Sequence, residues 1–376
     1  MLKLLIEGLR FVPHSYSCVN MWQCIELLKR NTFELYHNDA SICDWNLTPK
    51  PGLFAPDIEK SLRSIPPMPD PNKADIIYRI DFPHRFESTY VNRLFVFVTA
   101  EFNAFPDNHI AGNNNLRDAH NRSRAIIVTP SAWSRERLIE NGADSARVVV
   151  IPLGIDPSIF NPLDPEKRRV RRIELGWDND FVFYNCGCMA PNKGMLTLLK
   201  SFAVIARDNQ NVRLCLKGLD AVYSSLEFLK MYKESLSPEE KQSMEGRISY
   251  LGGSLSFNEM ASLYQAADIY VSPYMAEGFN LPVLEAAACG IPVICTQGGP
   301  TDEFTLPTFT KYICSRRIYS ADQFPFLPDG EHLTQLMQES IEDSDFRARS
   351  AVIGPDFINK YHRWQHAVDK LEKILL

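Results

Sequence analysis

Short apolar runs alternate with helically spaced stripes along almost the whole chain. Leu4–Ile6, Asp75–Tyr78, Leu94–Val98, Ala125–Val128 and Val148–Ile151 are runs of strand length, rich in β-branched or aromatic residues. Helical spacing appears between them, near 18–30 and from Ser131 onward. Parallel strands need a crossover connection, usually a helix, so the alternation predicts an α/β fold with a parallel sheet. The pattern resumes after the turn-rich stretches Pro152-Leu-Gly-Ile-Asp-Pro157 and Asn161-Pro-Leu-Asp-Pro165. Phe181–Tyr184, Val212–Leu216, Ile248–Leu251, Ile269–Ser272 and Pro292–Cys295 read as a second set of strands, with a helix near 194–207. Two α/β domains follow, 1–165 and 166–354, each long enough to bury its own core.

Local signals sharpen the map. Ser237-Pro-Glu-Glu240 and Ser256-Phe-Asn-Glu259 have the form of capping boxes, the first with Pro in the first helical place. Residues 49–71 hold seven prolines and read as a long loop. Phe357, Tyr361, Trp364, Val368, Leu371 and Leu375 form a helically spaced apolar stripe near the end, which requires a partner surface.

Composition narrows the function. The 376 residues are 45% hydrophobic and carry a net charge of −6, with 40 Lys plus Arg against 46 Asp plus Glu. That is an ordinary globular composition, and an acidic balance gives no general field for a nucleic-acid backbone, so phosphate must be bound locally. Nine cysteines without a C-x-x-C pair, no apolar run long enough for a signal peptide or a membrane span, and no His/Cys spacing for zinc predict a reduced cytoplasmic protein. On that reading the sequons at Asn46 and Asn121 are chance.

Chemistry concentrates in Glu277-Gly-Phe-Asn-Leu-Pro-Val-Leu-Glu285-Ala-Ala-Ala-Cys-Gly290. It follows a strand, and Pro282 and Gly290 bracket a short helix whose N-terminus faces the strand ends. Free N–H groups and the positive dipole end there make an anion site, and Gly278 lets the backbone approach a ligand. Glu277 and Glu285 suit hydroxyl partners, because an ionised carboxylate only accepts hydrogen bonds. A second helix entry, Gly187-Cys-Met-Ala-Pro-Asn192-Lys193-Gly194, follows the first strand of the second domain, with Asn192 as its expected cap and Lys193 as a cation beside it. Two such ends from one sheet suit a diphosphate. The segment lacks the phosphate-loop spacing, and no G-x-G-x-x-G follows a strand.

Lys193-Gly194, Ser272-Pro273, the Glu277-x7-Glu285 element and Ala288-Cys-Gly-Ile-Pro-Val-Ile294 resemble the retaining nucleotide-sugar glycosyltransferases of family 4. Thr129-Pro-Ser-Ala-Trp-Ser134 and Ile151-Pro-Leu-Gly-Ile-Asp156 extend the resemblance over most of 125–305. It implies a GT-B fold of two facing Rossmann-like domains with a deep interdomain cleft, and a terminal helix, about 355–376, that crosses back to the first domain. It implies that Glu285 holds ribose hydroxyls and that Glu277 holds those of the transferred sugar. Backbone N–H groups of Phe279, Asn280 and Leu281 would contact sugar and diphosphate, Lys193 would neutralise the departing diphosphate, and Leu251 with its neighbours would line the base pocket. Lys193 and Glu277 are the catalytic candidates.

The chain departs from that pattern in places. Cys188 stands where the family commonly has Arg, which leaves Lys217 as the nearest substitute cation, and Arg79-Ile80-Asp81 stands where many members have His. His84 and His14, with Ser15 beside it, are alternative candidates, and Glu101 after the fourth strand is a further acceptor-side candidate. A departing nucleoside diphosphate is stabilised by cations and helix dipoles without an obligatory metal. The pairs Asp178/Asp180 and Asp343/Asp345 read as solvated turns, so no metal site and no cofactor are expected. The expected partners are a nucleotide-sugar donor and a saccharide, lipid-linked or small-molecule acceptor, with no nucleic acid; a small basic face docking on lipid stays compatible with the charge. A sugar-nucleotide epimerase or hydrolase, or a binding protein of the same fold without catalysis, are the competing readings.

Overall fold

The computed structural model describes residues 1–40, 49–87 and 93–376; Cys43 and the Asn46 sequon lie outside them. The chain divides into two compact units, Met1–Gly154 with Arg363–Leu376, and Ile155–His362.

In the first unit the order is β1 (Leu2–Gly8), α1 (Ser15–Arg30), β2 (Phe33–Asp39), α2 (Pro56–Arg63), β3 (Ile76–Ile80), β4 (Leu94–Phe97), α3 (Leu116–Arg122), β5 (Ile126–Thr129), α4 (Ala132–Glu140) and β6 (Val148–Val150). The six strands form one sheet in the order β2-β1-β3-β4-β5-β6, and every pairing is parallel. β1, β3 and β4 are almost wholly buried, as a sheet covered on both faces requires. β2 is an edge strand with a mixed polar sequence, Phe-Glu-Leu-Tyr-His-Asn-Asp, and carries no apolar run to announce it. The proline-rich stretch 49–71 is not all loop: Pro56 occupies the first turn of α2, and Glu59 Oε1 accepts from the N–H groups of Gly52 and Leu53.

The second unit runs α5 (Pro165–Glu174), β7 (Phe181–Cys186), α6 (Met195–Asp208), β8 (Val212–Lys217), α7 (Asp220–Tyr223), α8 (Ser225–Glu234), α9 (Pro238–Ser243), β9 (Ile248–Leu251), α10 (Phe257–Ala266), β10 (Ile269–Ser272), α11 (Leu281–Ala288), β11 (Val293–Thr296) and β12 (Thr310–Ile313). An antiparallel pair, β13 (Ser315–Arg317) and β14 (Phe326–Pro328), and two helices, α12 (Gly330–Glu342) and α13 (Ser344–Tyr361), complete it. Its main sheet, β12-β11-β10-β7-β8-β9, is again parallel throughout. Both capping boxes form, at Ser237/Glu240 and Ser256/Glu259. Gly354 lets α13 approach α11 closely, since a Cβ there would stand 2.9 Å from the Ala287 carbonyl oxygen.

The structural boundary, Gly154/Ile155, falls inside the first turn-rich stretch and before the second, both of which the sequence assigns to the first domain. Phe160 and Asn161 explain it: the Phe160 ring packs on Tyr264, and Gln265 Nε2 donates to the Asn161 carbonyl, both within the second unit. The terminal stripe is divided as well. Phe357 and Tyr361 end α13, whereas Trp364, Val368 and Leu371 begin a separate helix, α14 (Trp364–Leu375), of the first unit. Trp364 stacks on Trp22 of α1 with ring centroids 6.2 Å apart, and Arg30 binds Asp369 and Glu372 at 2.7 Å each. Each large apolar side chain so buried contributes about 1.5–3 kcal/mol, which fixes α14 on α1.

Candidate functional site in the second unit

In the second unit β7 lies between β8 and β10, and its following helix α6 leads on to β8. The chain therefore reverses direction between β7 and β10, and in open α/β sheets ligands bind outside the carboxyl ends of the strands at such a point. Register brings Cys186 beside Lys217 and Lys217 beside Leu251, so Gly187, Gly218 and Gly252 emerge together at this end.

Two helices start there. Gly194, at φ +68°, is the cap of α6 and lies so close to β10 that a Cβ would meet the Pro273 carbonyl oxygen at 1.9 Å. Any other residue at this position would push the start of α6 away from the end of β10. Asn192 is therefore not the cap the sequence predicts. It is buried, its carbonyl accepts from the Met275 and Ala276 N–H groups at 2.7 and 3.2 Å, and its Nδ2 donates to the Ala276 carbonyl at 3.1 Å. This clamp holds the Glu277 loop against the α6 entry. α11 starts from Asn280, at φ +72°, whose side chain donates to Ser272 Oγ at 2.9 Å. Pro282 sits in its first turn and Gly290, at φ +79°, just beyond its end, as their spacing predicts. Phe279 buries its ring on Phe304, with centroids 4.7 Å apart, so its side chain is an anchor for the loop.

The clamp brings Lys193 and Glu277 together across 84 residues of sequence, Nζ to Oε1 at 2.7 Å, both largely buried. Gly187 faces this pair with open room: the one atom a Cβ would meet within 4 Å is Lys193 Cγ, at 3.9 Å. Glu285 lies in the second turn of α11, 8% exposed, and its Oε2 accepts from the Tyr264 hydroxyl at 2.8 Å. Burial pushes its carboxyl from 4.5 up to about 7, while the Tyr264 bond pulls it back. Tyr264 is a site residue that sequence reasoning missed. It stands 21 residues away on α10, within a cluster of Tyr184, Tyr264 and Tyr270 rings, and no local motif marks it. Leu251 is half-buried at the end of β9, and its carbonyl accepts from Gly218 N–H. Lys217, the nearest substitute for the missing Arg, is 4% exposed and its ammonium donates to the Gly218 carbonyl. Cys188 is half-buried, its carbonyl accepting from Ser225 Oγ at 3.0 Å.

The four candidates of the first unit gather at the carboxyl ends of its strands. His14 caps α1, its Nδ1 accepting from Tyr16 N–H at 3.2 Å, with Ser15 exposed beside it. The Tyr16 ring packs 5.7 Å from His14 and 5.9 Å from His84, and Glu101 and Asp81 are close enough to raise its pKa further after burial itself. Burial pushes His14 down to about 4 and His84 to about 3, so both are neutral at pH 7. Asp180 pairs with Arg213 at 2.5 Å, and Asp343 caps α13, so each acidic pair has a structural partner. Among the described residues no group of three His, Cys, Asp or Glu is placed to hold a metal ion, and no helix is long and apolar enough to cross a membrane.

Known proteins resemble this chain over part or all of its length. Residues 167–325 match the family model described as glycosyl transferases group 1. A GDP-mannose-dependent monoacylated alpha-(1-6)-phosphatidylinositol monomannoside mannosyltransferase of Corynebacterium glutamicum is 25% identical over 233 residues, covering 60% of this chain and 55% of that protein. A D-inositol 3-phosphate glycosyltransferase of Pseudarthrobacter chlorophenolicus is 29% identical over 175 residues, covering 46% and 40%. The chain spans about half the length of the curated relatives it matches. Anabaena Alr3699/HepE, solved in complex with UDP and glucose, superposes with a TM-score of 0.72 over 100% of this chain and 99% of that one, at 17% identity. The fold is GT-B: two Rossmann-like α/β domains, the carboxyl-terminal of which carries the group 1 match.

Proposed function

We propose that the protein is a glycosyltransferase of the retaining type, moving a hexosyl group from a nucleoside diphosphate sugar to an acceptor hydroxyl without a required metal, in the cytoplasm. The observation that carries this reading is the meeting of Lys193 with Glu277 at the reversal point of the sheet, beside two helix N-termini and with Glu285 buried behind them. A cation and two positive dipole ends bind a diphosphate; two carboxylates bind hydroxyls at either side of it. A relative with GDP-mannose in its name, and a structural neighbour holding UDP and glucose, agree with a donor of this class.

The ion pair defines the first step. Lys193 leaves Glu277 for a phosphate oxygen when the donor enters, and Glu277 accepts hydroxyls of the sugar in its place. Glu285 accepts from the ribose, the N–H groups of Phe279, Asn280 and Leu281 meet sugar and diphosphate, Gly187 and Gly278 give the backbone room, and Leu251 borders the base. As the glycosidic bond breaks, negative charge grows on the departing phosphate, where Lys193 and the helix ends already stand. The acceptor hydroxyl attacks from the same face and gives its proton to that phosphate, so no carboxylate nucleophile is needed and configuration is retained. His14, Ser15, His84 and Glu101 line the acceptor side.

Calorimetry with UDP, GDP, ADP and their sugars, followed by NMR of the product anomer, tests the reading. Nucleotide binding lost in Glu285→Ala, with turnover that depends on an acceptor, supports it. Donor consumed equally well without acceptor indicates a hydrolase or epimerase instead, and binding without turnover indicates a binding protein.

A further inference from the structure

Among the buried polar atoms of the first unit that find no hydrogen-bond partner among the described residues, two stand three residues apart just after β3, on Asp81 and His84. β1 and β3 are neighbours, Gly8 beside Ile80, and α1 leads from β1 to β2 on the other side, so this sheet reverses direction at the same place as the other. Asp81 follows β3 directly and is 4% exposed. Its Oδ2 accepts from Arg85 Nε at 2.7 Å, whereas Oδ1 is buried and has no hydrogen-bond partner among the described residues. Three residues on, His84 is 1% exposed, its ring donates to the Asp81 backbone carbonyl, and its Nδ1 is likewise buried and unpartnered. Leaving such groups unpaired destabilises a fold measurably, so each one calls for a functional role or for a water, ion or ligand that completes the pairing.

The charges around them define that ligand. Arg79 binds Glu7 at 2.7 Å, and Arg85 bridges Glu7 and Asp81, so both guanidinium groups already face carboxylates. With Glu101 also close to Tyr16 and the neighbouring histidines neutral, three carboxylates face two guanidinium groups. An anionic group finds no uncommitted cation here among the described residues, and a carboxylate oxygen calls for a donor.

We infer that Asp81 is a specificity-determining residue of the first unit, whose Oδ1 accepts, together with the His84 imidazole, from hydroxyls of an uncharged polyol. Resting on the glycosyltransferase reading, that polyol is the sugar acceptor, and its recognised portion carries no phosphate or carboxylate.

The test is saturation-transfer NMR on the full chain with methyl α-glucoside, methyl α-mannoside, methyl α-galactoside and myo-inositol, against glucose 6-phosphate as the anionic arm. At least one neutral probe should bind, Asp81→Asn should weaken it at least about tenfold, as expected for loss of a hydrogen bond to a charged group, and glucose 6-phosphate should bind no better. Lys193→Ala should retain neutral-probe binding, which separates this site from the nucleotide site. Because Asp81→Asn disturbs an ion network, the unmodified protein supplies a second measurement: the His84 ring 15N resonances should move on titration with the neutral probe. Silence from all neutral probes, undiminished binding in Asp81→Asn, tighter binding of the phosphate, or unmoved His84 resonances would overturn the inference. Nucleotide failing to bind while Asp81-dependent polyol binding persists would overturn the glycosyltransferase reading and leave this site standing.

Discussion

Replacing Glu285 by Gln separates the cost of the buried carboxyl from its use. Burial raises the group from 4.5 to about 7 in the folded chain. A folded value above the unfolded one means that the native state holds its proton longer, so stability is greatest below about pH 4.5 and falls as pH rises through about 7. At 1.36 kcal/mol per unit, the raised value costs about 3 kcal/mol of stability at pH 8, where the folded group is ionised, and about 1.4 kcal/mol at pH 5.5, where only the unfolded chain has released the proton. Glutamine keeps the shape and still accepts from Tyr264 through its amide oxygen, but carries no charge. Any penalty for burying the new amide is the same at both pH values. Urea unfolding at the two pH values should therefore show the stability of Glu285→Gln, relative to the parent, rising by about 2 kcal/mol from pH 5.5 to pH 8. The same variant should bind nucleotide about tenfold more weakly in calorimetry, as expected for removing a charged hydrogen-bond acceptor. A stability difference that stays constant with pH, or one that falls toward pH 8, refutes the reasoning.

Other outcomes follow from the same site. Donor affinity of the parent should be about tenfold weaker at pH 6 than at pH 8, because hydroxyls donate to the ionised Glu285 and most of it is protonated at pH 6; calorimetry in Glu285→Gln should show no such dependence. Lys193→Ala should lower turnover by about 10²–10³ while circular dichroism stays unchanged, as expected for removing one charge aimed at the leaving group. Tyr264→Phe should weaken donor binding about tenfold by removing the bond that orients Glu285. Gly194→Ala should destabilise the second unit by about 2 kcal/mol or more, read from thermal melts, since the left-handed backbone and the Pro273 oxygen leave no room for a Cβ. Turnover should survive excess chelator, and a loss restored by divalent cation would count against a metal-independent reaction.

Each strand whose burial made it apolar on both faces, from β1 and β3 to β7 and β10, was legible from its run of residues, because a covered parallel sheet leaves no polar alternative. The bracket of Pro282 and Gly290 around α11 was legible for a local reason too: the missing N–H and the positive φ are properties of those residues themselves. β2 was not, since an edge strand half in water has no distinct pattern. Nor was the cap of α6, because what requires Gly194 is the Pro273 carbonyl, just beyond the end of β10. The sequence by itself determined the two α/β units and the chemical kinds of group available at Lys193, Glu277 and Glu285. Only the tertiary structure decided that Lys193 and Glu277 pair, that Tyr264 holds Glu285, and that Asp81 Oδ1 and His84 Nδ1 are buried with no hydrogen-bond partner among the described residues, because contact between residues far apart in sequence is fixed by packing, and burial sets how strongly each charge is felt.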